Sequence, residues 1–259
     1  MASADLFIDV RGRGAQPLVL IHGWAMHGGV FAPLAEVLAE RCTLYLVDLP
    51  GHGHSRDSAV ALELDAVVAS IADATPPAMW LGWSLGGLVA LHAAATRPAQ
   101  VRALAMVCAT PRFVAAPDWP HGMAPATFET FAADLDRDWR ATVERFLALE
   151  VLGDARAQSD LRRLRADLFA RGEPDPVALA AGLALLQRSD LRERLPQLAV
   201  PSAWIAGRRD RLVPPAALRA AATACGGTFV ELAHAAHAPF LGHAGAVAAA
   251  LAPLPGTGA

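Results

Sequence analysis

The stretch WLGWSLGGLVALHAAA, Trp80 to Ala95, decides how this chain is read. It carries no charged side chain, and the uncharged run continues on both sides. By length alone it would suit a membrane span. A span has no reason to break in its middle, and this stretch does. AMWL, ending at Leu81, reads as a short buried strand; GWSLGG follows; LVALHAAATRP then has helical composition and stops before Pro98. Strand, sharp turn and helix are the context of the G-x-S-x-G turn that lifts a serine clear of a sheet. Gly82, Ser84 and Gly86 fill its fixed positions. The residues must be small, because the serine backbone is strained and a side chain at either glycine would meet the turn. The same turn sets the Leu85 N–H at the start of a helix, where it can face an anion.

Working outward, strands alternate with helices. LFIDVRGRGAQPLVLIHGW reads as two strands around a Gly-containing turn, FAPLAEVLAERC as a helix, TLYLVDLPGHGHS as a buried strand and polar turn, ALELDAVVASIADAT as an amphipathic helix and VRALAMVCAT as a strand. This rhythm predicts an α/β fold, with a mostly parallel central sheet flanked by helices. It breaks at 111–187, where FETFAADLDRDWRATVERFLALEVLG, DARAQSDLRRLRADLFARG and DPVALAAGLALLQRSD read as three helices with no strand between them. An all-helical cap inserted in a core of 1–110 and 188–259 is the expected organisation. The rhythm resumes with VPSAWIAGRRDRLVP, AALRAAATAC and GTFVELAHAAHAPF. The closing LAHAAHAPFLGHAGAVAAALAPL is also uncharged, but its three histidines and internal prolines make it strand end, loop and closing helix rather than a span.

With 259 residues, 54% of them hydrophobic and 18% charged, the chain can bury a large core. A formal net charge of −3 gives no general affinity for nucleic acid or an anionic membrane. Its basic residues are all arginine. Cys42, Cys108 and Cys225 are odd in number, far apart and in apolar neighbourhoods, which predicts buried free thiols in a reducing compartment. The start, MASADLFIDVRGRG, has acidic residues and no apolar h-region, so no leader is expected and the cytoplasm is the expected location. A monomer is expected. No metal-ligand spacing occurs, and neither metal nor cofactor is called for.

A serine nucleophile needs a base, and the base needs an orienting acid. AWIAGRRDRLVP is an apolar strand running into a loop that holds Asp210; TFVELAHAAHAPF runs into a loop that holds His237. The order Ser84, Asp210, His237 is that of a serine hydrolase on a parallel sheet. The competing acids are Asp48, which precedes Ser84 in a turn, and Asp190, which precedes the relevant strand. The competing base is His234, one turn short of the loop. His92 and His243 sit on apolar helical stretches, and His52 and His54 in a turn. LIHGW adds a strand end whose Trp24 N–H can pair with that of Leu85 to hold an oxyanion.

Together HGW, LVDLPGHGHS, GWSLGG, GRRDRLVP and HAAHAPF resemble the α/β-hydrolase superfamily. WLGWSLGGLVA, RPAQVRAL, HAAHAPF and above all the cap string TVERFLALEVLG resemble the pimeloyl-acyl-carrier-protein methyl ester carboxylesterases of biotin synthesis, over nearly the whole chain. The resemblance implies Ser84, Asp210 and His237 as triad, Trp24 and Leu85 at the oxyanion hole, and Phe146, Leu147, Ala148, Leu149 and Glu150 along the acyl pocket. It also implies an acyl-carrier protein as partner, docked by cap arginines: Arg145 and Arg162 at matching places, with Arg140, Arg156, Arg163 and Arg165 nearby. One departure is Glu150, where the family pattern leads to an uncharged Gln. The cap also mixes Asp136, Asp138, Asp154 and Asp160 among its arginines, so a solvated, salt-bridged face is the competing reading. Other readings of the whole chain are a general short-chain esterase, another capped hydrolase, and a non-catalytic binding protein on the same fold. Ser84 in place of Asp disfavours a haloalkane dehalogenase.

Overall fold

The computed structural model describes residues 5–255. Met1 to Ala4, on which part of the no-leader reading rests, lie outside the described residues. Among the described residues seven strands form one sheet: β1 (Ile8–Arg11), β2 (Gln16–Ile21), β3 (Cys42–Val47), β4 (Ala78–Trp83), β5 (Val101–Val107), β6 (Ser202–Gly207) and β7 (Thr228–Leu232), in the order β1-β3-β2-β4-β5-β6-β7. Only β1 runs antiparallel, Ile8 facing Val47 of β3; the other neighbours are parallel. The apolar runs of β4 and β6 are buried at every position, as strands covered by helices on both faces must be.

Among the described residues six α-helices belong to this core: α1 (Ala32–Leu38), α2 (Leu64–Ala74), α3 (Leu85–Thr96), α8 (Pro215–Cys225), α9 (Pro239–Gly242) and α10 (Ala244–Leu251). α3 follows β4 directly and is apolar all round because it lies within the core, which accounts for the uncharged stretch around Ser84. No helix among the described residues is long and apolar enough to cross a membrane.

Between β5 and β6 the chain inserts four helices, α4 (Pro125–Arg137), α5 (Trp139–Glu150), α6 (Ala157–Ala170) and α7 (Pro176–Arg188). The sequence reading had three. The stretch read as one helix breaks at Asp138, whose backbone leaves the helical region (φ −155, ψ 89) while its carboxylate accepts the Ala141 N–H at 3.1 Å. An aspartate offers the backbone this alternative, and here it caps the next helix. Cys42 and Cys108 are buried as expected, but Cys225 is only half-buried, since it closes α8 beside the surface turn at Gly226.

Candidate active site

Ser84 stands between β4 and α3 at φ 52 and ψ −118, a left-handed conformation that costs a non-glycine residue roughly 1–3 kcal/mol. The strain is held by its surroundings. The Ser84 N–H donates to the Val107 carbonyl at 3.2 Å, and the Ser84 carbonyl accepts the Gly87 N–H at 2.9 Å. A Cβ on Gly82 would drive into the Gly86 carbonyl, and one on Gly86 into the carbonyls of Ile21 and His22. Both glycines are therefore required by close backbone approach. Leu85 is the first residue of α3, so its N–H has no carbonyl one turn back to bond.

Asp210 and His237 leave the ends of β6 and β7 in loops. Asp210 Oδ1 accepts the N–H groups of Leu212 and Val213 at 2.8 and 3.0 Å, and Oδ2 lies 2.8 Å from His237 Nδ1. Both side chains are buried. With the Nδ1 proton donated to Asp210, Nε2 is left as the acceptor, the tautomer a base needs. His237 Nε2 is buried with no hydrogen-bond partner among the described residues, and His237 and Ser84 line the same cavity. His237 is clamped on both sides of its backbone: its N–H donates to the Glu150 carbonyl at 2.9 Å, and its carbonyl accepts the Trp83 indole N–H at 2.8 Å.

Trp24 follows β2 by way of His22 and Gly23. The His22 ring accepts the Leu49 N–H at Nε2 (2.9 Å) and sets Nδ1 against the Gly23 carbonyl (2.7 Å). Burial holds its pKa well below the ordinary imidazole range, so it is a neutral structural ring. Trp24 donates its indole N–H to the Leu179 carbonyl of α7 at 2.8 Å and packs edge-on against Phe146, 4.9 Å between centroids. The turn that places the Trp24 N–H is thus pinned by the cap.

Ser84 and His237 open onto one cavity. Apart from Ser84 and His237 its walls are apolar: Trp24 and Leu212 from the core, Phe113 and Met123 from the chain entering the insertion, Phe128 and Phe131 from α4, Phe146 from α5, and Leu183 and Leu186 from α7. Of the five residues expected along the acyl pocket, only Phe146 reaches it. Leu147 is core, and Ala148 and Leu149 face a separate groove beside Arg145. Glu150 is buried behind the site. Successive helical residues point about 100° apart, so five in a row cannot share one wall. The other wall residues were missed; Phe128 with Phe131 and Leu183 with Leu186 show i,i+3 spacing, which marks a buried face but not which one.

Glu150 is fully buried and neither carboxyl oxygen has a hydrogen-bond partner among the described residues. Burial first, and the Asp210 charge second, push its pKa well above the usual carboxylate range and favour the neutral carboxyl. Cys108 Sγ, an Asp210 oxygen and a His237 nitrogen lie within 4.8 Å of one another, close enough for metal ligands. The donor set fits a metal poorly. His237 Nδ1 is committed to Asp210, and burial together with the Asp210 charge raises the thiol pKa, opposing the thiolate a metal requires.

The competitors lie elsewhere. His234 is exposed on the outer surface. Asp48 is buried at another loop, bonded to the N–H groups of Gly28 and His54 and to Arg171. Asp190 pairs with Arg192 and Arg112, which hold its pKa down to about 2. His92 meets Asp65, His243 meets Asp154, and His52 meets the Pro50 carbonyl. His54 gives its backbone N–H to Asp48.

The cap arginines divide into two sets. Arg145 pairs with Asp134 at 2.7 Å, Arg140 with Glu173 at 2.7 Å, Arg163 with Asp167 at 3.6 Å and Arg165 with Glu144 at 2.7 Å. Arg156 and Arg162 are exposed near the start of α6 and form no ion pair among the described residues.

Residues 16–244 match the family model described as alpha/beta hydrolase fold. The chain is 61% identical to a pimeloyl-[acyl-carrier protein] methyl ester esterase of Stenotrophomonas maltophilia, over 95% of each chain. It is 61% identical to a protein of the same name from Xanthomonas oryzae pv. oryzae, covering 95% of this chain and 97% of that one. Among solved structures, a bromoperoxidase from Bacillus anthracis superposes with a TM-score of 0.85 at 21% identity, over 95% of this chain and 93% of that one, and shares the fold.

Proposed function

The chain belongs to the α/β-hydrolase family, and from that premise we propose that it hydrolyses the methyl ester of pimeloyl-acyl-carrier protein to the free carboxylate and methanol, in biotin biosynthesis. It is a carboxylic ester hydrolase. The observation that carries the substrate is the 61% identity to esterases of that name along 95% of the chain, cap included. The cavity supports it: its apolar walls suit a chain of methylenes leading from Ser84.

In the proposed mechanism Ser84 Oγ attacks the ester carbonyl while His237 Nε2 takes its proton. The Leu85 and Trp24 N–H groups receive the developing oxyanion, each such donor lowering the barrier by about 3–4 kcal/mol. Asp210 stabilises the imidazolium. Collapse of the tetrahedral adduct breaks the bond to methoxide, which leaves as methanol with the proton from His237. Water then gives a proton to His237, attacks the acyl-serine and restores Ser84, releasing the carboxylate. Residues 111–187 are proposed as a cap that encloses the acyl chain, with Arg156 and Arg162 free to meet the carrier. Arg145, Arg140 and Arg163 would first have to leave their acids. The three unbridged thiols support a reducing, cytoplasmic setting.

The test is to incubate the purified protein with the carrier-bound methyl ester and follow methanol and free carboxylate, alongside complementation of a biotin-requiring strain that lacks its methyl esterase. Turnover in the tube and growth of the strain are expected. Cleavage of p-nitrophenyl acetate with neither result would make it a general short-chain esterase.

A further inference from the structure

Helix α7 carries a glycine, Gly182, in its interior, where glycine is the least helix-favouring residue short of proline. Its backbone is helical, so conformation does not call for glycine; space does. A Cβ there would lie 2.9 Å from Trp24 Cδ1, 3.2 Å from Leu85 Cδ2 and 3.4 Å from Trp24 Nε1. The two residues it would meet are the two whose N–H groups the mechanism uses. Neither has room to retreat. Both are buried, and the Trp24 ring is fixed by its bond to the Leu179 carbonyl and its edge contact with Phe146. The helix is itself anchored at its start. The Asp175 N–H donates to the Gly51 carbonyl at 2.8 Å, and the Asp175 carboxylate accepts the Val177 N–H at 3.0 Å. Ala178 sits so close to Gly51 that a Cβ on that glycine would overlap its own. Leu179, Gly182, Leu183 and Leu186 follow at helical spacing and share one face.

We infer that α7 is the positioning element of the oxyanion hole: the Leu179 carbonyl and the Cβ-free surface of Gly182 set the Trp24 turn and the start of α3 without touching substrate. The inference rests on the esterase reading above, in which the Trp24 and Leu85 N–H groups hold the oxyanion. One face of the helix then has two tasks. Leu183 and Leu186 line the cavity and meet the acyl chain, while Leu179 and Gly182 lie against the residues that bear the donors. Such donors act only when aimed where charge develops, and a misplacement of about 1 Å can cost about a hundredfold in rate. The inserted helices therefore bear on the chemical step as well as on binding.

The experiment measures kcat and KM on dimethyl pimelate for wild type, Gly182→Ala, Trp24→Phe, the double variant and Leu183→Ala. Gly182→Ala is expected to lower kcat about tenfold or more while KM moves less than about threefold. Leu183→Ala should do the reverse and act mainly on KM. Trp24→Phe keeps its backbone N–H but loses the bond to Leu179, so it reads the same positioning without an added Cβ, and it too should lose kcat. In that background Gly182→Ala should cost clearly less than in wild type, because the smaller ring leaves room for the methyl group. A trifluoromethyl ketone, to whose carbonyl Ser84 Oγ adds to leave an oxyanion, should bind Gly182→Ala more weakly by about the factor lost in kcat/KM. Unchanged kcat in both single variants, or a loss carried by KM as in Leu183→Ala, would overturn the inference. Lost turnover with undiminished ketone affinity would overturn it as well, since the effect would then lie outside the oxyanion hole. A wild type inert toward dimethyl pimelate would instead defeat the esterase reading, and the positioning role with it.

Discussion

The carbonyl of Glu150 accepts the backbone N–H of His237 at 2.9 Å, so the last residue of α5 is fastened to the loop that carries the proposed base. The same residue buries a carboxyl group near Asp210, without a hydrogen-bond partner among the described residues.

That carboxyl makes stability depend on pH. Its pKa is raised in the folded protein, so above the ordinary carboxylate pKa the folded chain keeps a proton that the unfolded chain releases. Stability is therefore full below the unfolded pKa and declines as pH rises toward the folded value. Glu150→Gln removes the effect. The Tm advantage of the variant over wild type should be least near pH 4.5 and grow toward pH 8, with each kcal/mol worth roughly 2–4 °C in a domain of this size. Parallel Tm curves across that range would show that Glu150 is not held neutral.

At Ser84 chemistry and strain can be separated. Ser84→Ala is expected to lose about 10⁴–10⁶ in kcat on p-nitrophenyl acetate while keeping its Tm, because it removes Oγ and leaves the backbone bonds. Ser84→Gly should be equally inactive but more stable, since glycine adopts φ 52 without a Cβ penalty. Retention of a tenth of the activity in either variant would point to another nucleophile.

For the base, burial and bonding give opposite expectations for two histidines three residues apart. His237→Ala should be nearly dead, and Asp210→Asn severely impaired but less so, because orienting a base is the smaller role. His234→Ala should keep wild-type kcat on dimethyl pimelate, since the ring is exposed away from the cavity. A dead His234 variant would reverse the assignment.

A fourth expectation concerns how α6 is joined to the core. Arg171, just past that helix, reaches the buried Asp48 at 3.0 Å and Asp9 at 2.9 Å. Arg171→Met would leave Asp48 buried without its cation, at a cost of about 3–5 kcal/mol. Urea unfolding should show the loss; a change under about 1 kcal/mol would mean that the Gly28 and His54 N–H groups suffice for Asp48.

What the sequence determined by itself is what short-range geometry dictates. A strand, a strained serine between two glycines and a helix identify the turn at Ser84 within a few residues, because hardly any other residues fit backbones that close. Apolar strands ending in Asp210 and His237 loops, in that chain order, follow from the period of a parallel sheet, and the structure sets those two side chains 2.8 Å apart. The sequence could not show that Asp138 ends one cap helix and starts another, since an aspartate on an amphipathic pattern is compatible with continuation. Nor could it show that Phe146 alone of its run faces the cavity, that Glu150 is buried near Asp210, or that Arg145 is held by Asp134 while Arg162 is not. Those outcomes depend on helix rotation and on contacts between residues far apart in the chain, and only tertiary packing decides which side of a helix is inside and which charges find partners.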